Sequence, residues 1–442
     1  MPTQQPTPSR ATAGTLPLLL SILLAPGAST AQPILLEPGA PRLVLTLAPD
    51  AKARQGELRL APGTAYDAAR GVGYTNTRDG NEQAVAVKAV PGDYRVRATL
   101  GSANAASRTT LWAEDRRLMA GPVDLTPGET KTVEFIVNVR DPAIAASEQD
   151  AAGRAPRVGL RGDDEHGRSW DERLTVAVSG ARSALQALEI EPVKARRILI
   201  AGDSTVTDQA GADYASWGQM LPRFLSNEVA VANHARSGET MKSFVTSLRW
   251  DKLLADLRPF DIVLLQFGHN DQKSGWPRTY VDPIQAYPAW LRALASDVLA
   301  RGAKVVLVSP VSRRAFNREG KFDNTLAGYD DAVRRLAQEL KLPFIDLTAK
   351  TRQLYEALGP AASAQAFAKG GQDTTHHNAY GAYQIANYVA QALVAPEHGL
   401  ALGAAPDFKA FDPARPADPA RWALAPADWP LMRETAGKVS GD

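Results

Sequence analysis

The chain has 442 residues, of which 44% are hydrophobic and 22% are charged, and its formal net charge at pH 7 is +2. This length exceeds one typical domain and predicts two. A nearly neutral chain without a basic stripe argues against nucleic acid as a partner. The absence of cysteine from the sequence excludes a thiol nucleophile, a cysteine-ligated zinc site and stabilising disulfides.

The first 31 residues have the pattern of a cleaved secretory signal. Arg10 precedes an apolar stretch at 16–25, and small residues occupy 29–31. That stretch is too short to cross a bilayer, and an uncleaved membrane anchor is the alternative interpretation. Cleavage removes one base and no acid, so the net charge falls from +2 to +1. We therefore expect a secreted or periplasmic protein with no membrane contact once the signal is removed.

Residues 32–190 are predicted to form an all-β domain, a sandwich or jelly roll. Apolar or alternating runs are separated by Gly, Pro, Asn and Asp; the runs are 42–47, 83–90, 93–100, 132–139 and 173–178. Some aromatic residues could stack on sugar rings, although such residues more often fill the core; these are Tyr66, Tyr74, Trp112 and Trp170. The charged stretch 141–168 predicts a long surface loop.

From Arg196 onward, apolar strand-like runs alternate with helical stretches. The strands are predicted at 196–201, 229–235, 261–267, 304–309 and 343–347, and the helices at 216–226, 242–257, 283–301, 326–341 and 381–394. This alternation predicts a five-stranded parallel sheet in a three-layer α/β/α domain, residues 191–396, with its ligand beyond the carboxyl ends of the strands. The Ala/Pro-rich segment 397–442 is predicted to be a C-terminal arm.

Four polar blocks follow these elements in positions that suit acyl transfer. They are GDSTV at 202–206, NHARSG at 233–238, FGHND at 267–271 and DTTH at 373–376. In this order they resemble the SGNH (GDSL) hydrolase superfamily, and within it the rhamnogalacturonan acetylesterase family. The resemblance implies a flavodoxin-like catalytic domain. The patterns at 66–74 and 185–192 are similar to the galactose-binding-like module that accompanies some of these enzymes.

Hydrolysis of an ester requires a nucleophile, a base, and donors for the oxyanion that forms on attack. Ser204, on a turn after a strand, is the candidate nucleophile. His376 is the candidate base, and Asp373 is close enough to hold its tautomer. The predicted oxyanion hole comprises the backbone N–H groups of Ser204 and Gly238 and the side-chain amide of Asn270. This chemistry requires neither a cofactor nor a metal.

Other histidines could compete for these roles. His377 adjoins His376, but consecutive residues on a turn point in different directions, so only one should face Ser204. His269 is expected to support its own loop. Three further residues could in principle bind a metal, but their spacing is too sparse to predict a site; these are Asp203, His234 and Asp271.

The chain departs from the family pattern directly after Gly238. Family members commonly continue with Arg-Ser, whereas this chain has Glu239-Thr240. The backbone N–H of Gly238 is unaffected, but an arginine would bind a uronate carboxylate and Glu239 would repel one. Arg313 and Arg314, after the fourth strand, could supply positive charge to the substrate, or could be solvated surface residues.

The sequence thus predicts a secreted serine esterase that removes acetyl groups from a pectic polysaccharide, with rhamnogalacturonan as the preferred substrate. An esterase for another acyl ester, such as acetylated xylan or a lipid, is the alternative enzyme. A glycan-binding protein on an inactive hydrolase scaffold is the alternative from another class. The five intact residues argue against it, since an inactive scaffold has no physical need for all of them; they are Ser204, Gly238, Asn270, Asp373 and His376.

Overall fold

The computed structural model describes residues 33–48, 52–75, 83–145, 153 and 155–424. The predicted signal segment and the end of the predicted C-terminal arm lie outside these ranges. Within them, no helix combines the length and the apolar character that a membrane span requires.

Residues 36–193, here called the β region, form two sheets around a shared core. Their strands are β1 Leu43–Thr46, β2 Leu58–Arg59, β3 Val72–Tyr74, β4 Gln83–Lys88, β5 Gly92–Gly101, β6 Ser107–Ala113, β7 Arg117–Leu125, β8 Thr130–Val139, β9 Arg173–Ser179 and β10 Leu185–Val193. The first sheet has the order β2-β1-β10-β5-β8 and the second the order β3-β4-β9-β6-β7. Val96 of the first sheet and Leu111 of the second belong to one buried cluster. The predicted β-rich N-terminal region is therefore confirmed.

The second part of the chain is built on a parallel sheet. Its strands are β11 Arg196–Gly202, β12 Val229–Asn233, β13 Ile262–Gln266, β14 Lys304–Val308 and β15 Phe344–Ile345. The order β12-β11-β13-β14-β15, with every pair parallel, confirms the predicted five-stranded parallel sheet. Because the order reverses at β11, a crevice is expected beyond the carboxyl ends of β11 and β13.

Helices cover both faces of this sheet. They are α2 Trp217–Met220, α3 Met241–Thr246, α4 Arg249–Asp256, α5 Ala286–Leu299, α6 Tyr329–Leu340, α7 Leu347–Ala362 and α8 Ala379–Val394. The first helix of the chain, α1 Asp163–His166, belongs to the β region instead. Ile198 and Ile200 of β11 pack with α2, α7 and α8. Leu199 and Ala201 pack with α3 to α6. Successive residues of β11 therefore face opposite helix layers. Because both faces of the sheet are buried in this way, its strands are apolar throughout.

Three helices differ from the prediction for local reasons. The helix expected at 216–226 is only one turn, α2, followed by a 3-10 turn that contains Pro222. The helix expected at 242–257 is divided into α3 and α4 by Leu248, whose φ is 61°. The sequence analysis missed α7, which ends in a kink at Gly359 and Pro360.

The second sheet of the β region also packs against the α/β layers. Along β6, Leu111 faces the inner core of the β region, whereas Trp112 belongs to the same cluster as Trp217 of α2. The Trp112 ring is fully buried and donates its N–H to the Ser179 hydroxyl at 2.8 Å. Trp170 is also buried. These two aromatics therefore fill the interior and are not accessible to a sugar.

The described part of the C-terminal arm packs back onto the fold. Leu400 and Leu402 are buried. Ala404 forms a β-bridge with Leu225, and Trp422 contacts the Tyr380 ring edge-on at 5.6 Å. Leu400 and Leu402 thus belong to the core that includes α8, and Phe408, Phe411, Trp422 and Leu424 pack against it while partly buried.

Candidate active site

Ser204 lies on the turn that ends β11. A Cβ atom on Gly202 would lie 2.7 Å from the Gln266 carbonyl oxygen, so only glycine fits where the strand enters the turn. The carboxylate of Asp203 accepts the backbone N–H and the hydroxyl of Thr205 at 2.9 and 2.8 Å. These contacts fix the turn and place Ser204, which is 5% exposed, at the carboxyl edge of the sheet.

The structure brings Ser204, His376 and Asp373 together across 172 residues of sequence. His376 Nε2 lies 2.9 Å from Ser204 Oγ. His376 Nδ1 lies 2.9 Å from Asp373 Oδ2, and the His376 backbone N–H donates to Asp373 Oδ1 at 2.8 Å. A carboxylate accepts the Nδ1 proton, so Nε2 is left to accept the proton of the serine hydroxyl.

Electrostatics keep the carboxyl of Asp373 ionised. Burial alone would raise its pKa, but hydrogen bonds from the imidazole and the backbone N–H of His376 outweigh burial, and the pKa lies well below its ordinary value. The charged carboxylate favours the imidazolium that forms when His376 takes a proton.

The candidate oxyanion donors lie at the ends of adjacent strands. Gly238 has a φ of 80°, which favours glycine. The Asn270 amide donates one N–H to the Glu239 carbonyl at 3.0 Å, and an amide nitrogen carries two such groups. The Arg236 backbone N–H donates to the Gly202 carbonyl at 3.2 Å, which ties the Gly238 turn to the strand that carries Ser204.

The expectation that the Glu239 side chain affects the substrate directly is wrong. This side chain is fully buried and pairs with Arg161 and with the Ser243 hydroxyl. Asp164 likewise pairs with Arg236 and Arg249. The stretch 141–168 is therefore not simply a surface loop. Arg161 and Asp164 of this stretch meet opposite charges on the α/β part of the chain, which a count of charges along the sequence does not reveal.

Arg313 and Arg314 have different environments. Arg313 donates to the His269 carbonyl and to the Thr375 hydroxyl, each at 3.2 Å, and so lies between two of the polar blocks. Arg314 donates to the Gly371 carbonyl at 3.0 Å and lies over the Phe367 ring, which indicates a structural role.

The competing histidines point elsewhere. His377 Nε2 lies 2.6 Å from the Tyr355 hydroxyl, on the buried side of the turn. His269 Nδ1 lies 3.3 Å from Asp203 Oδ2 and supports the Ser204 turn. His234 is buried among cations, which lower its pKa together with burial and oppose metal binding; they are Arg140, Lys252 and Arg249.

The stability of the protein should depend on pH through His377. Burial, and next the nearby His376, lower the pKa of His377 from 6.5 to about 3. Between these values only the unfolded chain gains a proton, so the free energy of unfolding falls as the pH falls. From about pH 7.5 to about pH 5, wild type should lose about 2 kcal/mol more than His377→Gln in urea unfolding. Equal losses would mean that His377 is protonated in the folded protein.

Sequence reasoning missed residues that support the catalytic candidates. The Tyr214 ring lies edge-on to the His376 ring, with centroids 5.9 Å apart. Gln209 Nε2 donates to the Ser204 carbonyl at 2.6 Å. Neither belongs to a polar block, and only their closeness in sequence to Ser204 could have drawn attention to them.

Several known proteins are similar to this chain. Residues 200–383 match the GDSL-like lipase/acylhydrolase family. Rhamnogalacturonan acetylesterase RhgT of Bacillus subtilis (strain 168) is 38% identical over 219 residues, which cover 47% of this chain and 92% of that protein. The protein named "Probable rhamnogalacturonan acetylesterase YesY" of the same organism is 32% identical over 211 residues, which cover 47% of this chain and 96% of that protein. The X-ray crystal structure of Bacillus subtilis YxiM is 22% identical, with a TM-score of 0.43, and the match covers 80% of this chain and 98% of that one.

The family match and the similar acetylesterases show that the chain is a carboxylic ester hydrolase of the GDSL type. The chain belongs to the GDSL-like lipase/acylhydrolase (SGNH) family, and rhamnogalacturonan acetylesterases are among its homologues.

Proposed function

We propose that this protein removes acetyl groups from an acetylated pectic polysaccharide, with rhamnogalacturonan as its substrate, through an acetyl-enzyme at Ser204. The observation that carries the reaction type is the chain of 2.9 Å contacts from Ser204 through His376 to Asp373. The two similar acetylesterases support the choice of leaving group and polymer.

In the proposed reaction, Ser204 Oγ attacks the acetyl carbonyl carbon while His376 Nε2 takes the hydroxyl proton. The oxyanion accepts hydrogen bonds from the predicted donors, which are the backbone N–H groups of Ser204 and Gly238 and the Asn270 amide. Collapse of this intermediate breaks the ester bond to the sugar oxygen, which takes the proton from His376 and leaves as a hydroxyl group. A water molecule, deprotonated by His376, then attacks the carbonyl carbon of the acetyl-serine. Collapse of this second intermediate breaks the bond to Ser204 Oγ, which regains the proton from His376, and acetic acid leaves and ionises to acetate.

Arg313 supports an acidic polymer as the substrate. Its guanidinium lies beside the backbone of His269 and the Thr375 side chain, next to the triad. A guanidinium binds a carboxylate in two parallel hydrogen bonds, so a uronate next to the acetylated sugar is a suitable partner. Glu239 offers no repulsion at the surface because its side chain is buried.

We also propose that the mature protein is exported after cleavage of residues 1–31. In this proposal, 32–190 form a galactose-binding-like β-sandwich, 191–396 the catalytic domain and 397–442 an arm. The apolar stretch 16–25 and the small residues at 29–31 support the cleavage.

Acetate release from a panel of polymers tests this function. Wild type should release acetate from acetylated rhamnogalacturonan faster than from acetylated xylan, and Ser204→Ala should release none above background. Arg313→Gln should reduce the preference for the uronate-containing polymer while kcat on 4-nitrophenyl acetate changes little. A preference for xylan or for a lipid ester would reject the proposed substrate, and activity in Ser204→Ala would reject the proposed mechanism.

A further inference from the structure

The hairpin between β6 and β7 carries a strained tip that points into the α/β part of the chain. Glu114 and Arg116 both have positive φ values, 51° and 57°, although neither is glycine. Such conformations cost on the order of 1 kcal/mol each and persist only where the surroundings hold them. Here the Asp115 carboxylate accepts the backbone N–H groups of Arg168 and Ser169 at 2.8 and 2.9 Å.

Arg116 uses this geometry to hold one loop. Its side chain is buried, and its guanidinium donates to the carbonyl oxygens of four residues of the segment 208–214, here called the triad loop. The acceptors are Gln209 at 3.1 Å, Gly211, Ala212 at 3.4 Å and Tyr214 at 3.0 Å.

Further contacts of the hairpin act on the same loop. Arg117 pairs with Asp208 at 2.6 Å, and both side chains are almost fully buried. Gln219 Nε2 donates to the carbonyl oxygens of Asp115 and Gln209, each at 2.9 Å, and so joins the hairpin to the triad loop.

The triad loop touches the catalytic candidates at both of its ends. Gln209 at one end donates to the Ser204 carbonyl at 2.6 Å. Tyr214 at the other end places its ring edge-on to His376. The next residue, Ala215, donates its backbone N–H to the His377 carbonyl at 2.9 Å. One loop therefore spans the gap between nucleophile and base.

Outside the hairpin, the Asn233 amide donates to the Asp208 carboxylate at 2.9 Å, and the Lys369 backbone N–H donates to the Asp213 carboxylate at 2.7 Å. Between these two points, Arg116 holds the carbonyl oxygens of the loop. Ala212 and Asp213 are exposed, and Gly211 adds backbone freedom. Guanidinium Nη1 lies within reach of three of the carbonyl oxygens and Nη2 contacts the fourth, that of Ala212, so the group gathers dipoles that would otherwise repel one another. A lysine ammonium has a single nitrogen and could not occupy both positions.

We propose that Arg116 is a positioning residue for ester hydrolysis, through which the β region holds the triad loop and thereby the relative placement of Ser204, Tyr214 and His376. The β region is then part of the catalytic unit. This inference rests on the proposed roles of Ser204 and His376.

The test uses the full chain and the variants Arg116→Lys and Arg116→Ala. On 4-nitrophenyl acetate, kcat should fall by about ten- to a hundredfold in both, because small misplacements of reacting groups have effects of this size. Millimolar guanidinium should restore part of the kcat of Arg116→Ala, whereas methylammonium should not. A purely structural role would lower the melting temperature without rescue of kcat.

Arg108→Ala is the matched control. Arg108 lies on β6 in an exposed ion pair with Asp124, so its loss should leave kcat unchanged. If Arg116→Ala does not fold, Gln219→Met serves in its place. This substitution keeps the side-chain volume but removes the two hydrogen bonds that join Asp115 of the hairpin to Gln209 of the triad loop. In this variant kcat should fall by about three- to tenfold.

Wild-type kcat in both folded Arg116→Lys and Gln219→Met overturns the inference. Ser204→Ala, assayed alongside, separates the two proposals. Activity in Ser204→Ala would reject the proposed function, whereas its full loss together with wild-type kcat in the Arg116 and Gln219 variants would reject the positioning role alone.

Discussion

His376→Ala should lower kcat on a small acetate ester by at least about three powers of ten, because it removes the base from a unit that acts together with the nucleophile. Its Nε2 is the imidazole nitrogen that contacts Ser204 Oγ, at 2.9 Å. The measurement is turnover at saturating 4-nitrophenyl acetate, with folding checked by circular dichroism.

His377→Gln is the matched control for that experiment. The His377 ring contacts the Tyr355 hydroxyl and lies in the interior. Glutamine can keep that hydrogen bond, so kcat should stay within about tenfold of wild type. A larger loss of kcat in His377→Gln than in His376→Ala would mean that the DTTH block at 373–376 is aligned one residue out and that His377 is the base.

Asp373→Asn should also cost several powers of ten in kcat, although the base remains. The side-chain amide that this substitution introduces can donate to His376 Nδ1, which favours the tautomer with the proton on Nε2. Nε2–H would then face Ser204 Oγ as a donor and could not accept the hydroxyl proton. The loss should resemble the roughly 10⁴-fold effect known for this change in serine proteases.

The pH profile provides the check on Asp373→Asn. The residual activity of Asp373→Asn should rise with pH, as hydroxide replaces the missing base. Asp373→Ala, which introduces no amide to hold the imidazole in the wrong tautomer, should show a similar loss of kcat. Near-normal kcat in Asp373→Asn at neutral pH would contradict the proposed role of the carboxylate.

The parallel sheet was predictable because its physics is local. Strands buried on both faces are continuous apolar runs, such as 196–201 and 261–267, and these runs correspond to β11 and β13. Parallel strands also end at one edge, so residues that follow them in sequence are brought together. This explains how Ser204, Gly238 and Asn270 could be assigned to one region of the fold before any distance was known.

The contacts between the β region and the active site were not predictable in this way. Glu114 to Arg117 are four charged residues in a row, a pattern typical of a solvated turn, yet Arg116 and Arg117 are buried. Their partners include the carbonyl oxygen of Gln209 and the carboxylate of Asp208, which lie more than 90 residues further along the chain. A charged side chain can be buried without a large loss of stability only when such partners are present, and the sequence does not show which residues form these pairs.

Glu239 was misjudged for the same reason. A glutamate beside Gly238, a candidate oxyanion donor, suggests contact with the substrate, but the side chain is buried and pairs with Arg161 from the β region.

The most direct test of the account is covalent trapping of the nucleophile. The full-length protein is incubated with a fluorophosphonate, and the site of modification is mapped by peptide mass spectrometry while hydrolysis of 4-nitrophenyl acetate is followed. The account predicts one adduct, on Ser204, with activity lost in proportion to labelling and no adduct in Ser204→Ala. Full activity in protein completely labelled at Ser204, or inactivation through an adduct on another residue, would contradict it.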